Sequence, residues 1–463
     1  MADLHRRKDD IIIVAEETSS GHNLPVIVTE EVQRALYARF ERVVEAVENV
    51  ENQNDLLPYS PKIRKVRFLR SHATNLVMYY EPRVISFGPI HHGKPKYQLG
   101  EKYKLGLTSE FVKNSGKGMQ DLYQKIENEI KKLRDCFEEE VTKDYDDESL
   151  ACLLFVDGCA ILQFIYCVTY DNFKKLKIEN DIVAFGNQDL FLLENQLPYC
   201  LLEWLMSSSK MEKQLKRSIQ IYVEMQLKER KKKDDAPFSI SMYGDSYHLL
   251  DVMRTGLLGI PKQNFQIIRR KRKNQDWQSY CNVQMLQATG IYLKRSNSSC
   301  LRDISFTKTF LFGYLFLPPI IVDDSTRTKF LNLIAYEMCL DFENDLGVTS
   351  YISFLDSLIT DANDVKELRK AGILYNLLGS DEEVAKLFNE MGTDLVPNPK
   401  TYKAIKIEIQ NHYDKKLSWM FRFYNDHFGG TWSIAGFLGV LFGLVLGGIQ
   451  AWFTVKPASQ KHV

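Results

Sequence analysis

Three groups of residues in this chain have types and spacing that could do chemistry. His91 and His92 stand together between Gly88-Pro89 and Gly93. Adjacent side chains point about 100° apart on a helix and to opposite faces of a strand, so such a pair rarely chelates one ion. No HxxxH spacing or third nearby ligand accompanies it. Turn-forming, hydrogen-bonding histidines are the expectation. Asp157-Gly158-Cys159 sets a carboxylate beside a thiol in an apolar run. A nucleophilic cysteine needs a base or positive field, and none is local in sequence. A buried Asp must be hydrogen-bonded or neutral, and Gly158 is read as letting another backbone come close. Glu194, Asn195 and Gln196 lie between apolar stretches, with Pro198 suited to the first turn of the next helix. Their carboxylate and amides suit capping helix ends and bracing neighbours. If Asp157, Glu194, His91 and His92 converged on a solvent-open cavity, they would form a hydrolase-like acid–base site. Separate caps and packed corners would make them scaffold. Nucleophile-elbow, Walker, dinucleotide and HExxH patterns are absent, so no catalytic, cofactor or metal residue is assigned.

The elements that position these groups read as mostly helical. Apolar residues recur at three- and four-residue steps over 29–56, where Thr29 is the N-cap, and over 101–114 and 118–140. Further helical segments are read at 189–207, 210–231, 245–258, 328–342, 351–359, 361–378, 381–391 and 401–424. Ser380 and Asp361 open two of them as caps. Residues 57–100 differ: Pro82, Pro89 and Pro95 forbid a long helix, and 83–87 is the best strand candidate. A loop with a few strands is read at 269–301. Residues 310–322, interrupted by Pro318-Pro319, are core or a turn.

Residues 434–455, IAGFLGVLFGLVLGGIQAWFTV, carry no charge and one strongly polar side chain, Gln450. As a helix they extend about 33 Å at about 1.5 Å per residue, enough for a hydrocarbon core of about 30 Å. Lipid leaves backbone polar groups no water, so the segment closes its own hydrogen bonds and spans. Gly439, Gly443 and Gly447 repeat every four residues, a small-residue face that suits pairing of two copies. The run 151–168 competes as a span. Its central Asp157 costs about 2.5–3.5 kcal/mol on insertion scales, so a buried core helix is the better reading.

Charge is balanced, with 60 basic and 60 acidic residues, so no overall field draws nucleic acid or acidic lipid. The basic runs 228–233 and 269–273, the second followed by Trp277 and Tyr280, read as solvated loops or contacts to lipid headgroups or a partner, with anionic-lipid or nucleic-acid binding as the alternative function. Nucleic acid is not an expected partner. The N-terminal apolar stretch stops at Glu16 and Glu17, too short for a secretory signal. A span at the chain's end then leaves the body in the cytosol, and the sequon Asn297-Ser298-Ser299 is the dissenting sign. The eight cysteines show no CxxC and are read as buried and reduced.

Several of these motifs occur together in one known family. Residues 80–93, YEPRVISFGPIHHG, resemble the hallmark Y-x-P-x-x-V/I-S-x-G-P-x-H-H-G of the plant domain-of-unknown-function family 247. That hallmark contributes Tyr80, Pro82, Ser86, Gly88, Pro89, His91, His92 and Gly93 as signature residues. VDGC at 156–159, DL at 189–190, LENQLP at 193–198, HLLD at 248–251, NLIAYE at 332–337 and LGSDEE at 378–383 extend the resemblance over about residues 60–455. One departure stands out. Members usually read I-x-x-V-P-x-x-L-R, and here 63–70 is IRKVRFLR, without the proline. The resemblance implies a plant membrane protein with no established enzyme activity. Some grass members are linked to self-incompatibility, as pollen-side determinants of recognition.

The expected architecture is mainly α-helical with a minor β component (α+β). A flexible terminus (1–28) and an amphipathic helix (29–56) precede one large soluble domain (60–430). One C-terminal transmembrane helix (434–455) and a short tail (456–463) follow. The expected partners are the lipid bilayer through 434–455, a protein of unknown identity and a second copy of the chain.

Overall fold

The helical periodicity of the first half becomes a bundle around a single apolar helix. The computed structural model describes residues 63–66, 74–227, 246–259, 282–309, 312–339, 341–428 and 431–455. The expectations for 1–28 and 29–56, both basic runs, Trp277, Tyr280 and the tail 456–463 lie outside the described residues.

Helices α1 (Gln98–Ser115), α2 (Met119–Asn128), α3 (Ile130–Asp135) and α4 (Glu139–Thr142) lead into α5 (Asp147–Tyr170). After it come α6 (Asn180–Asp189), α7 (Tyr199–Ser208) and α8 (Glu212–Leu227). α5 is apolar around its whole circumference, which suits burial on all sides. It packs against α1, α2, α3, α7 and α8. Asp146 starts it by accepting the Ser149 N–H at 2.7 Å, and Asp171, left-handed at φ 50°, ends it.

The second half adds α9 (Leu249–Leu258) and α10 (Val283–Ala288), then β1 (Ile291–Arg295), β2 (Ser305–Lys308), β3 (Gly313–Leu317) and β4 (Ile320–Val322). These are followed by α11 (Thr326–Glu337), α12 (Gly347–Asp356), α13 (Ala362–Lys370), β5 (Leu374–Asn376) and α14 (Asp381–Gly392). The long α15 (Lys403–Phe428) and α16 (Thr431–Val455) close the described chain. A three-stranded sheet runs in the order β1-β3-β2, with β1 parallel and β2 antiparallel to β3; β4 and β5 form a parallel pair. α9 contacts both α8 and α12, joining the helical bundle to the second half. Mainly helical with few strands is therefore the fold class.

Several local expectations are corrected. Residues 83–87 form no strand, because their N–H groups are taken by side chains rather than by a neighbouring strand. The charge-laced segment 118–140 is two helices parted at Glu129 (φ −106°, ψ 14°) and then a short third, not one. The segment read as helical from 189 turns a corner before α7, and α6 precedes it. Pro198 is the N-cap of α7 rather than its first residue. α10 falls where a loop was expected; 310–322 is core as expected, its described part forming strands on either side of Pro318-Pro319. Residues 361–378 contain α13 and then β5. The caps hold: Ser380 accepts the Glu383 N–H at 3.2 Å, and Asp361 forms a capping box with Asp364. Cys159 and Cys167 are buried, while Cys152 on the same helix is exposed.

Candidate functional site

Residues 80–93 have no repetitive structure of their own, so their backbone groups need partners from elsewhere. Asp189, the last residue of α6, supplies three: its carboxylate accepts the N–H groups of Arg83, Val84 and Ile85 at 2.8, 2.9 and 3.0 Å. Asn195 Oδ1 accepts the Phe87 N–H at 2.6 Å, and its Nδ2 donates to the carbonyls of Ile85 and Asp189. Asp157 Oδ2 accepts the Gly88 N–H at 2.7 Å. Side chains from α5, from the end of α6 and from the corner before α7 thus hold one irregular segment residue by residue. Each charge-assisted bond of this kind contributes about 1.5–3 kcal/mol. Gly88 is needed for two reasons: φ is +70°, and a Cβ there would lie 3.1 Å from the Gln196 carbonyl oxygen. Gly93, at φ +78°, turns the chain out of the motif.

The charge on Asp157 is met by Lys104, a fully buried lysine on α1, whose Nζ lies 2.6 Å from Asp157 Oδ1. The same ammonium donates to the Ser86 carbonyl at 2.9 Å and sits 2.8 Å from Glu101, which reaches toward solvent. Burial pulls the Lys104 pKa down, but Asp157 and Glu101 outweigh it, so the group is raised and stays charged. Burial pushes Asp157 up, opposed by Lys104 and the Gly88 N–H. Asp189 follows the same logic, with burial opposed by three N–H donors.

Glu194 works separately. Its Oε1 accepts the Val66 N–H at 2.8 Å, and its Oε2 lies 2.9 Å from His91 Nε2, at an angle too poor for an aligned hydrogen bond. His91 Nδ1 is 2.9 Å from Lys94 Nζ. Despite the missing proline, the incoming segment is still docked: Ile63 bridges to Phe137, and Val66 reaches Glu194. Gln196 bridges two helix ends, donating to the Leu190 and Leu192 carbonyls and accepting the Leu250 N–H at the start of α9. Asn332 on α11 accepts the Leu193 N–H and donates to the Tyr79 carbonyl, both at 2.8 Å. Glu337 caps α12 through the N–H groups of Val348 and Thr349 and pairs with Arg254 at 2.8 Å.

The remaining signature residues have structural uses too. The Pro82 carbonyl accepts the buried Tyr97 hydroxyl at 2.9 Å, and the Pro89 carbonyl accepts Tyr145 at 3.4 Å. Tyr80 is buried, and burial, followed by Glu194, raises its hydroxyl pKa. His92 is on the surface, 3.9 Å from Glu101. Gly158 admits a side chain rather than a backbone, since a Cβ there would lie 2.7 Å from Leu205 Cδ1. The four groups of the acid–base reading therefore fall into two sets, Asp157–Lys104–Glu101–His92 running from the core to the surface, and Glu194–His91. A surface depression of about 480 Å³ lies elsewhere, against α13 and α14, and contains none of them. Among the described residues, no three His, Cys, Asp or Glu side chains are grouped to hold a metal ion.

Sequence reasoning missed Lys104, and it matched Asn332 and Asp189 to motifs without reading the backbone groups they reach. Lys104 was detectable: Gly100, Lys104, Leu107, Phe111 and Ser115 form one buried stripe, so periodicity puts a cation inside α1. His248, matched earlier only as part of HLLD, gains its role here. It caps α9 by accepting the Asp251 N–H, its ring lies 4.5 Å from that of Tyr336, and burial holds its pKa down to about 3.

The described body is mainly helical, and its signature residues hold one another's backbones. The chain belongs to the plant protein family of unknown function DUF247, whose model matches residues 66–446. It is similar to UPF0481 protein At3g47200 of Arabidopsis thaliana, 26% identical over 409 residues, 80% of this chain and 82% of the relative. UPF0481 protein At3g02645 of the same plant is 22% identical over 483 aligned residues, covering 81% of this chain and 87% of that protein. No solved structure matches the chain.

Proposed function

We propose that this protein is a membrane-held recognition or scaffold module that acts through protein contacts, with 434–455 crossing the bilayer and the body, residues 60–430, in the cytosol. The observation that carries the reading is α16. Its described side chains from Leu438 to Thr454 are all exposed, with Leu444 at 72% and Phe453 at 74%, although the segment is almost wholly apolar. Water penalises such a surface by about 25 cal/mol per Å², and lipid does not. A second copy would meet it at Gly439, Gly443 and Gly447, where an added Cβ has no neighbour within 4 Å. The buried polar residues support the non-enzymatic side of the reading, because their hydrogen-bonding capacity is largely spent on backbone. The partner surface is the body, in recognition of the self-incompatibility or signalling kind, and the tether raises its effective concentration at the membrane.

The test is sedimentation of the full-length chain from plant membranes, followed by an alkaline carbonate wash. Retention in the pellet is expected, and release by carbonate would overturn the anchor. Topology is read from Asn297, which lies exposed in a bend after β1. Glycan at that site would place the body across the membrane from the cytosol.

A further inference from the structure

Basophilic serine kinases read an arginine three residues before the acceptor hydroxyl. Three serines in the chain meet that spacing: Ser86 after Arg83, Ser298 after Arg295 and Ser305 after Arg302. The fold separates them. Ser86 is 1% exposed, and its neighbours Ile85 and Phe87 give their N–H groups to Asp189 and Asn195. Ser305 is exposed but lies in β2, opposite Phe316 of β3, and its arginine is ion-paired with Asp345. An acceptor there would have to leave the sheet. Ser298 lies partly exposed in the irregular segment between β1 and β2, and Arg295 is exposed at the end of β1.

The segment around Ser298 is held lightly. Its N–H is met by the Ser296 hydroxyl at 3.3 Å, and its own hydroxyl oxygen accepts the Cys300 N–H at 3.1 Å. Such bonds, with no ladder or helical turn around them, open at low cost, as an acceptor segment must when it enters a kinase cleft. Both ends are pinned: the Ser296 N–H donates to the Leu317 carbonyl at 2.7 Å, and the Leu301 N–H to the Leu257 carbonyl at 2.9 Å. Residues 297–300 can therefore open without unzipping β1 or freeing α9. The Arg295 guanidinium donates to the Tyr375 hydroxyl at 2.8 Å, an exposed bond for which a kinase carboxylate competes well.

We propose that Ser298 is a phosphoryl acceptor for a serine kinase that reads Arg295. This rests on the cytosolic reading of the body, where ATP and such kinases are available. In the step, Ser298 Oγ attacks the γ-phosphorus of ATP and the bond from that phosphorus to the bridging oxygen breaks. ADP leaves, and the hydroxyl proton passes to the catalytic carboxylate of the kinase. The product carries about two negative charges at neutral pH. Lys294 and Arg295 precede it and Arg302 follows four residues on, so cations suited to pairing with it are already in place. The same segment holds the sequon Asn297-Ser298-Ser299, so one loop reports both compartments: a glycan outside the cytosol, a phosphate within it.

The experiment incubates the purified full chain, in detergent micelles, with ATP and the catalytic subunit of cyclic-AMP-dependent protein kinase. Phosphate is then mapped by peptide mass spectrometry. Modification is expected at Ser298 and not at Ser86 or Ser305, and Arg295→Ala should slow it roughly tenfold or more. No phosphate at Ser298, phosphate at Ser86 or Ser305 in its place, or incorporation that ignores Arg295→Ala would overturn the proposal. If Arg295→Ala does not fold, the site map of the unsubstituted chain decides. A glycan on Asn297 in plant membranes would overturn the cytosolic placement alone, and the acceptor site itself stands or falls on the purified chain.

Discussion

α5 and α16 are both long apolar helices, of 24 and 25 residues, and the protein treats them in opposite ways. By length and composition α5 could cross a bilayer, yet 78% of its most apolar stretch is covered by its own fold. α16 leaves its described apolar side chains uncovered. The telling difference is one buried carboxylate and its partners. Asp157 in α5 requires Lys104 and the Gly88 N–H, and only a folded body can bring them together. α16 holds no such demand, so lipid suits it as well as protein does. Apolar length alone does not decide between core and membrane; a buried charge with a prepared partner does.

The largest effect comes from removing one helix. Ending the chain after residue 430 should move the protein from the membrane pellet to the supernatant almost completely, as immunoblots of the two fractions would read. A truncated chain still pelleting with membranes would break the comparison. Next comes the partner of Lys104. Asp157→Leu makes α5 more span-like but leaves the buried Lys104 with only the half-exposed Glu101 and the Ser86 carbonyl, and the Gly88 N–H without its acceptor, which costs about 3 kcal/mol. Replacing both residues with apolar ones of similar volume should recover most of that loss in urea unfolding followed by tryptophan fluorescence.

Acid should separate the two helices further. The His248 pKa is held down to about 3 in the fold, against an ordinary value of 6.5. The unfolded chain therefore takes up the proton first. Stability is fully present above pH 6.5 and is lost as pH falls toward 3, by as much as roughly 4 kcal/mol from this residue. His248→Asn keeps a capping acceptor without titrating, so it should flatten that part of the melting-temperature profile. Residues 434–455 contain no titratable group, so membrane retention should not change over the same range. The smallest effects sharpen the contrast position by position. Gly158→Ala in α5 meets Leu205 and should cost about 1–3 kcal/mol by overpacking. Gly443→Ala in α16 meets nothing and should leave the monomer's stability unchanged, while weakening pairing in detergent by about 1 kcal/mol.

Much of the framework was legible in the sequence. The caps at Ser380 and Asp361 need only a local side chain and the next turn's N–H, so spacing alone finds them. α5 was readable as core because an Asp at its centre argues against lipid. The polar contacts around residues 80–93 were less legible. The 83–87 segment has strand-like residues, but Asp189, more than a hundred residues away, takes the N–H groups a strand would have offered to a neighbour. Glu194 reads the same in sequence whether it serves a substrate or the Val66 N–H.

Hydrogen-bond closure along a helix and the aversion of apolar side chains to water are local properties, carried by residue order. The sequence by itself therefore determined the helical character, the capped starts at Asp361 and Ser380 and the uncharged segment 434–455. Which carboxylate meets which N–H, and which lysine is buried to neutralise it, depend on approaches between segments far apart in the chain. Tertiary packing alone decided that Asp157, Asp189, Glu194 and Lys104 hold backbone groups and one another across segments far apart in the chain.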